Sequence, residues 1–220
     1  MVRKNCEVLN QYALGNRDFC QINLSRSTLQ GADLSGSDLR RASLVGADLR
    51  NACLKETKLT GADLMGADLR GACLENADLG LADLTQSELQ NANLKGANLT
   101  GAILTKANLT NATLTGAVMW RAMLMGAILK GANLHGAILI KAILLQANLN
   151  EANLSGANLA EARVMDAEMA NTNFTETIMP DGKFYKLDRE ELWSKRSPKF
   201  FINCQPPFNP NISNIRQGVG

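Results

Sequence analysis

The 220-residue chain is 45% apolar but only 5% aromatic, and its 23 Lys and Arg against 21 Asp and Glu leave a formal net charge of +2. An apolar fraction of this size belongs to a folded protein whose core is built from alanine and leucine, which makes the interior narrow. The two signs read as interspersed, so the charge gives no reason to expect nucleic acid, an anionic membrane or a strongly acidic partner.

At the N-terminus, Met1-Val2-Arg3-Lys4-Asn5-Cys6-Glu7 is not followed by the apolar stretch of a signal peptide. Residues 4–15 predict a capping helix, with Val8, Leu9, Tyr12 and Ala13 on one face and Gly15 as its stop. The most apolar run, Ile138 to Leu145, is interrupted by Lys141 and is too short to span a bilayer. Five cysteines, an odd number, without a secretory signal predict free thiols and a cytoplasmic location.

From Leu24 to Leu159 leucine occupies every fifth position, at 27 of 28 sites, with Met119 the one substitute. Alanine recurs two residues earlier in the unit, at 25 of 28 sites from Ala32 to Ala167, and Ser37, Thr57 and Ser87 fill the others. A period of five matches neither a helix nor a simple strand, so the repeat dictates the fold. In Gly61-Ala62-Asp63-Leu64-Met65, alanine and leucine point inward while Asp63 and Met65 point outward. The fifth place, often glycine, suits a sharp corner.

Outward residues recur at a spacing of twenty: Cys53 with Cys73, Arg50 with Arg70, Trp120 with Ile140, and Ile103 with Met123 and Ile143. That spacing gives four sides to a turn, although a spacing of fifteen also links Ile103 to Val118. At a strand separation of about 4.8 Å, roughly eight turns make a rod about 40 Å long. Ser37 and Thr57, one turn apart, are expected to share a hydrogen bond along the stack.

These tandem Ala-(Asp/Asn)-Leu-x-x units resemble the pentapeptide-repeat family over residues 17 to 179. The resemblance implies an all-β solenoid, specifically a right-handed quadrilateral parallel β-helix, and the Arg17-Asp18-Phe19 start implies that the first side begins at Phe19. The predicted organisation is an N-terminal helical cap at 1–16, a β-helix of about eight coils at 17–179, and a C-terminal cap with an irregular tail at 180–220. Nine of the ten aromatic residues lie outside the regular array, with Trp120 alone inside it, so rings are expected to serve the ends. After the Pro180-Asp181-Gly182 turn, a short helix is predicted from Asp188, with Leu187, Leu192 and Trp193 over the last turn and an irregular segment from Cys204.

Little chemistry is visible. His135, the one histidine, holds an ordinary outward position, and Asp33, Asp48, Asp63 and Asp78 recur beside leucine because the repeat places them there, where they bond locally to backbone. Cys53 and Cys73 stack, but parallel in-register side chains meet the disulfide dihedral poorly, and no further ligands accompany them for zinc. No phosphate-binding glycine loop is present. No catalytic, cofactor-binding or metal-binding residues are therefore assigned, and the chain is expected not to be an enzyme.

The exception to the polar exterior is a cluster. At the outward position between alanine and leucine, Ile103, Val118, Met123, Ile128, Ile138 and Ile143 replace the usual Asp, Asn, Ser or Thr. At the outward position after leucine, Trp120, Met125, Ile140, Leu145 and Met165 join the same region. A contiguous apolar patch of roughly several hundred Å² marks a contact surface, and Trp with Met is typical of an interface centre. The candidate patch is therefore Ile103, Val118, Trp120, Met123, Met125, Ile138, Ile140, Ile143, Leu145 and Met165. Its occupant is a protein partner, a second copy forming a homodimer, or the chain's own C-terminal tail; simple tolerance of surface hydrophobes is the remaining explanation.

The expected function is a non-enzymatic interaction or scaffold module that uses the outer faces of a stiff rod. The resemblance also implies a group that often occurs in cyanobacteria and largely lacks assigned activities. In some members it implies inhibition of a type II DNA topoisomerase by mimicry of duplex DNA, which is the alternative reading. Ten acidic and eight basic residues between 31 and 110, with Arg40, Arg41, Arg50 and Arg70 among the carboxylates, count against that mimicry.

Overall fold

The computed structural model describes residues 2–185, so the helix from Asp188, the contacts of Leu187, Leu192 and Trp193, and the segment from Cys204 lie outside the described residues. Helix α1 spans Val2–Ala13. It lays Val8 against the first coil, with Leu9 and Tyr12 half-buried, while Ala13 is exposed. Gly15 stops it with φ 93°. The Gly15 amide donates to the Tyr12 carbonyl and the Asn16 amide to the Gln11 carbonyl, both at 3.0 Å. That paired bonding is a Schellman cap, which asks for a left-handed residue where Gly15 stands. Tyr12 reaches the fourth side of the first coil through a 3.0 Å hydrogen bond to the Ser35 carbonyl.

Beyond α1 the chain winds into a solenoid whose parallel bridges all join residues twenty apart, from Asp18↔Asp38 to Asn158↔Ile178. The spacing of fifteen is thus not the winding register. Four faces follow in chain order. The first carries Asp78, Asn98, Val118, Ile138 and Asn158; the second Asp63, Asp83, Ile103, Met123, Ile143 and Arg163; the third Asp48, Asp68, Glu88, Asn108, Ile128 and Asn148; the fourth Cys53, Cys73, Asn93, Thr113, Asn133 and Asn153.

One unit accounts for all five of its backbone donors. The Gly61 amide reaches the Gly80 carbonyl, Ala62 reaches Leu59 to close the corner, Asp63 reaches back to Ala42, and Leu64 reaches forward to Asp83 at 2.7 Å. The fifth donor, the Met65 amide, bonds the Asp63 carboxylate two residues back at 3.1 Å. Ala62 and Leu64 are 0% exposed. Each such leucine contributes roughly 1.5–3 kcal/mol by leaving water. This arrangement explains every letter of the repeat: Ala and Leu fill the axis, and Asp or Asn supplies the acceptor for the residue after leucine.

The corner residue has positive φ whether or not it is glycine, as Gly71 at 68° and Leu81 at 57° illustrate. Type II turns require that conformation at their third residue, and the turn, not the amino acid, imposes it here. Glycine has a second role at 71. A Cβ there would lie 2.4 Å from the Asn51 side-chain oxygen, because the corner side chain of one coil leans over the corner of the next.

Two features differ from the sequence reading or complete it. Ser37 and Thr57 do not share a hydrogen bond: Thr57 Oγ1 donates instead to the Leu34 carbonyl at 3.1 Å, because the hydroxyl points at the turn of the coil before. Ser37 Oγ meets no partner among the described residues. At the far end the chain reverses, Phe184 pairs antiparallel with Ile178, and the Tyr185 ring packs 5.2 Å from that of Phe174.

Candidate interaction surface

Asx bonding is the commonest pattern of the outer surface; Ser43, Cys53, Lys58, Cys73 and Thr113 depart from it with polar or thiol side chains, whereas the patch departs from it with hydrocarbon. Asp68 accepts the Arg70 amide, Asp83 the Thr85 amide, Asn98 the Thr100 amide and Asn153 the Ser155 amide. Ile103, Val118, Met123, Ile128, Ile138 and Ile143 occupy the same position with side chains that accept nothing. Each gives up a turn hydrogen bond and exposes hydrocarbon in exchange, a double cost to local stability.

The winding brings all ten sequence-predicted residues together on two adjoining faces. Val118 bridges Ile138 on the first face, with Trp120 and Ile140 beside them, while Ile103, Met123 and Ile143 form one ladder on the second. Met125, Leu145 and Met165 run along that second face at the same interval of twenty. Trp120, Met123, Met125, Ile138 and Met165 are exposed, Met165 at 64%, and Ile103, Val118, Ile140, Ile143 and Leu145 are half-buried. The Arg121 guanidinium stacks 4.6 Å over the Trp120 ring at the corner between the faces.

Sequence reasoning missed two parts of this surface. Leu81, 68% exposed, stands on the same corner column as Arg121 and leans over Gly101. Its signal was an apolar residue at a corner with glycine twenty positions later, a column not searched for hydrophobes. The second omission is charge: the signs are not interspersed along the rod. Residues 89–150 contain Lys95, Lys106, Arg121, Lys130 and Lys141 and no acidic residue, whereas residues 151–185 hold six acidic and two basic ones. The near-zero total conceals this because the zones cancel.

The remaining polar groups have structural partners. On the third face Arg50 grips Asp48 at 2.7 Å and Arg70 grips Asp68 at 2.6 Å, and on the first Arg40 grips Asp38 at 2.5 Å. Hydrogen bonding from these guanidinium groups holds the three carboxyls below their ordinary range. A carboxylate row so neutralised does not present the continuous negative charge of a DNA backbone. His135 Nδ1 shares a 2.9 Å hydrogen bond with Ser155 Oγ on the exposed fourth face. Cys6, Cys20, Cys53 and Cys73 are free thiols. Among the described residues no helix is long and apolar enough to cross a membrane.

Profiles described as pentapeptide repeats match in eight copies across residues 22–181. HetL, a pentapeptide repeat protein involved in heterocyst differentiation regulation from the cyanobacterium Nostoc sp. strain PCC 7120, is 33% identical over 81% of this chain and 98% of its own, with a TM-score of 0.30. A pentapeptide repeat protein of the Arabidopsis thaliana thylakoid lumen is 37% identical over 44% of this chain and 67% of its own, with a TM-score of 0.43. QnrB1, a plasmid-mediated fluoroquinolone resistance protein, is 19% identical over 76% of this chain and 82% of its own, with a TM-score of 0.40. No curated protein matches.

Proposed function

The chain belongs to the pentapeptide-repeat family, whose members fold as right-handed β-helices, and from that premise we propose that it is a non-enzymatic docking module whose first and second faces bind a protein. The organisation that goes with this reading is a helical cap at 1–16, a shaft of about eight coils at 17–179 and a C-terminal cap with tail at 180–220. One observation carries the reading: Ile103, Val118, Met123, Ile138 and Ile143 on these two faces display hydrocarbon where most of the shaft places a polar side chain, usually the Asp or Asn of a turn bond. A local sacrifice of this kind concentrates where function overrides the rule of the fold. An odd cysteine count supports action in the reducing cytoplasm.

Sedimentation velocity of the full chain and of a Trp120→Asp, Ile140→Lys variant tests it, together with capture of bound protein. The variant should lose self-association or its bound protein while its circular dichroism stays unchanged. An unaltered sedimentation and capture profile in a folded variant discards the interface.

A further inference from the structure

We infer that the occupant of the second face is an acidic amphipathic helix of a partner protein, an inference that rests on the docking reading above and names its chemistry. For three successive coils that face presents Ile103, Met123, Met125, Ile143 and Leu145, bridged through its centre. It is edged on one side by Arg121 and Lys141 and on the other by Lys106. The apolar strip thus has Arg121 and Lys141 along one border and the single cation Lys106 on the other, where Gly126 and Gln146 follow it. Lys141 is engaged by Glu161 at 3.4 Å, whereas Lys106 and Arg121 make no ion pair among the described residues. An apolar strip flanked by these cations complements a helix with an apolar stripe and carboxylates on both flanks. The strip's length, about 10 Å between outer centres at 4.8 Å per coil, accommodates about two helical turns at a pitch of about 5.4 Å.

Charge and shape favour a separate partner over the other occupants. A second copy seated strip on strip brings Lys106, Arg121 and Lys141 and no carboxylate from the acid-free zone, so two surfaces of like sign meet. Residues 186–220, with six basic and three acidic residues, match the sign of the acid-free zone outside the one acidic stretch from Asp188 to Glu191. A flat anionic bilayer laid along this face meets Asp63 and Asp83 on one side of the strip and Glu161 and Asp166 on the other. Only a short partner confines itself to the strip.

The test uses the full chain and a labelled, helix-stapled synthetic peptide of about 10 residues, about 15 Å long at 1.5 Å per residue, with leucine at i, i+3, i+4 and i+7 and glutamate on both flanks. A twin peptide carries lysine for every glutamate, and phosphatidylglycerol vesicles form a third arm. Fluorescence anisotropy should show the glutamate peptide binding about tenfold or more tighter than its twin, with the advantage shrinking as salt is raised. Lys106→Glu with Arg121→Glu should reverse that preference, Lys106→Gln with Arg121→Gln should erase it, and Met123→Asp with Ile143→Asp should abolish binding of both peptides. Thermal melts establish that each variant folds. Equal binding of the two peptides, a preference untouched by either charge variant, or binding to vesicles in place of the glutamate peptide overturns the proposal. If the glutamate peptide fails while the Trp120→Asp, Ile140→Lys variant still loses its companion, the partner chemistry falls and the docking reading stands.

Discussion

Between residues 33 and 88 the shaft presents Asp38, Asp48 and Asp68 locked to arginines, whereas between 103 and 145 it presents Ile103, Trp120, Met123 and Ile138. The interiors of the two stretches are the same: Leu54 and Leu124 are each 0% exposed, and the same ladder binds both. A solenoid that closes each unit with its own backbone and two inward side chains leaves the outward positions free to diverge. The inward positions therefore carry what the two stretches share, and the outward positions what distinguishes them.

Leu54→Ala and Leu124→Ala test the shared interior, and each should cost roughly 3–5 kcal/mol in urea unfolding. The two values should agree within about 1 kcal/mol, and a wide gap would break the equivalence of the two stretches. A smaller effect of opposite sign sharpens the contrast of exteriors. Ile138→Asn restores an acceptor for the Ile140 amide and removes exposed hydrocarbon, so it should stabilise by about 0.5–1 kcal/mol while weakening docking. A loss of stability instead would mean that the isoleucine ladder is structural.

The smallest effect concerns the polar stretch alone. Asp48 and Asp68 have folded pKa values depressed by hydrogen bonds from Arg50 and Arg70. Their contribution is therefore present above the unfolded carboxylate value of about 3.9 and is lost as pH falls through the lower folded value. Arg50→Ala with Arg70→Ala should lower Tm slightly at neutral pH, with the wild-type and variant curves converging on acidification. A gap that persists once the folded carboxylates themselves are protonated would place the effect in packing rather than in the ion pairs.

Much of this was legible residue by residue. The alanine and leucine columns announce the axis, because burial at every fifth position leaves no other assignment, and Ile103 to Met165 announce the patch as departures from a polar column. Leu81 escaped because corner side chains lean along the rod, a direction that reading one unit at a time does not reveal. Ser37 and Thr57 were mispaired because hydroxyls inside the stack answer to the nearest carbonyl, that of Leu34 for Thr57, rather than to each other. The acid-free zone was visible in the letters but was hidden by averaging charge over the whole chain.

By itself the sequence determined what is inside and what is outside, since a five-residue repeat fixes the direction of each side chain through local backbone geometry. Only the tertiary winding decided which outward residues meet. Hydrogen bonds at an interval of twenty, not fifteen, stack Val118 under Ile138 and Ile103 under Met123, and they set Lys106 and Arg121 on opposite borders of one face. That choice belongs to the closure of whole coils, whose ladder bonds join residues no single repeat contains.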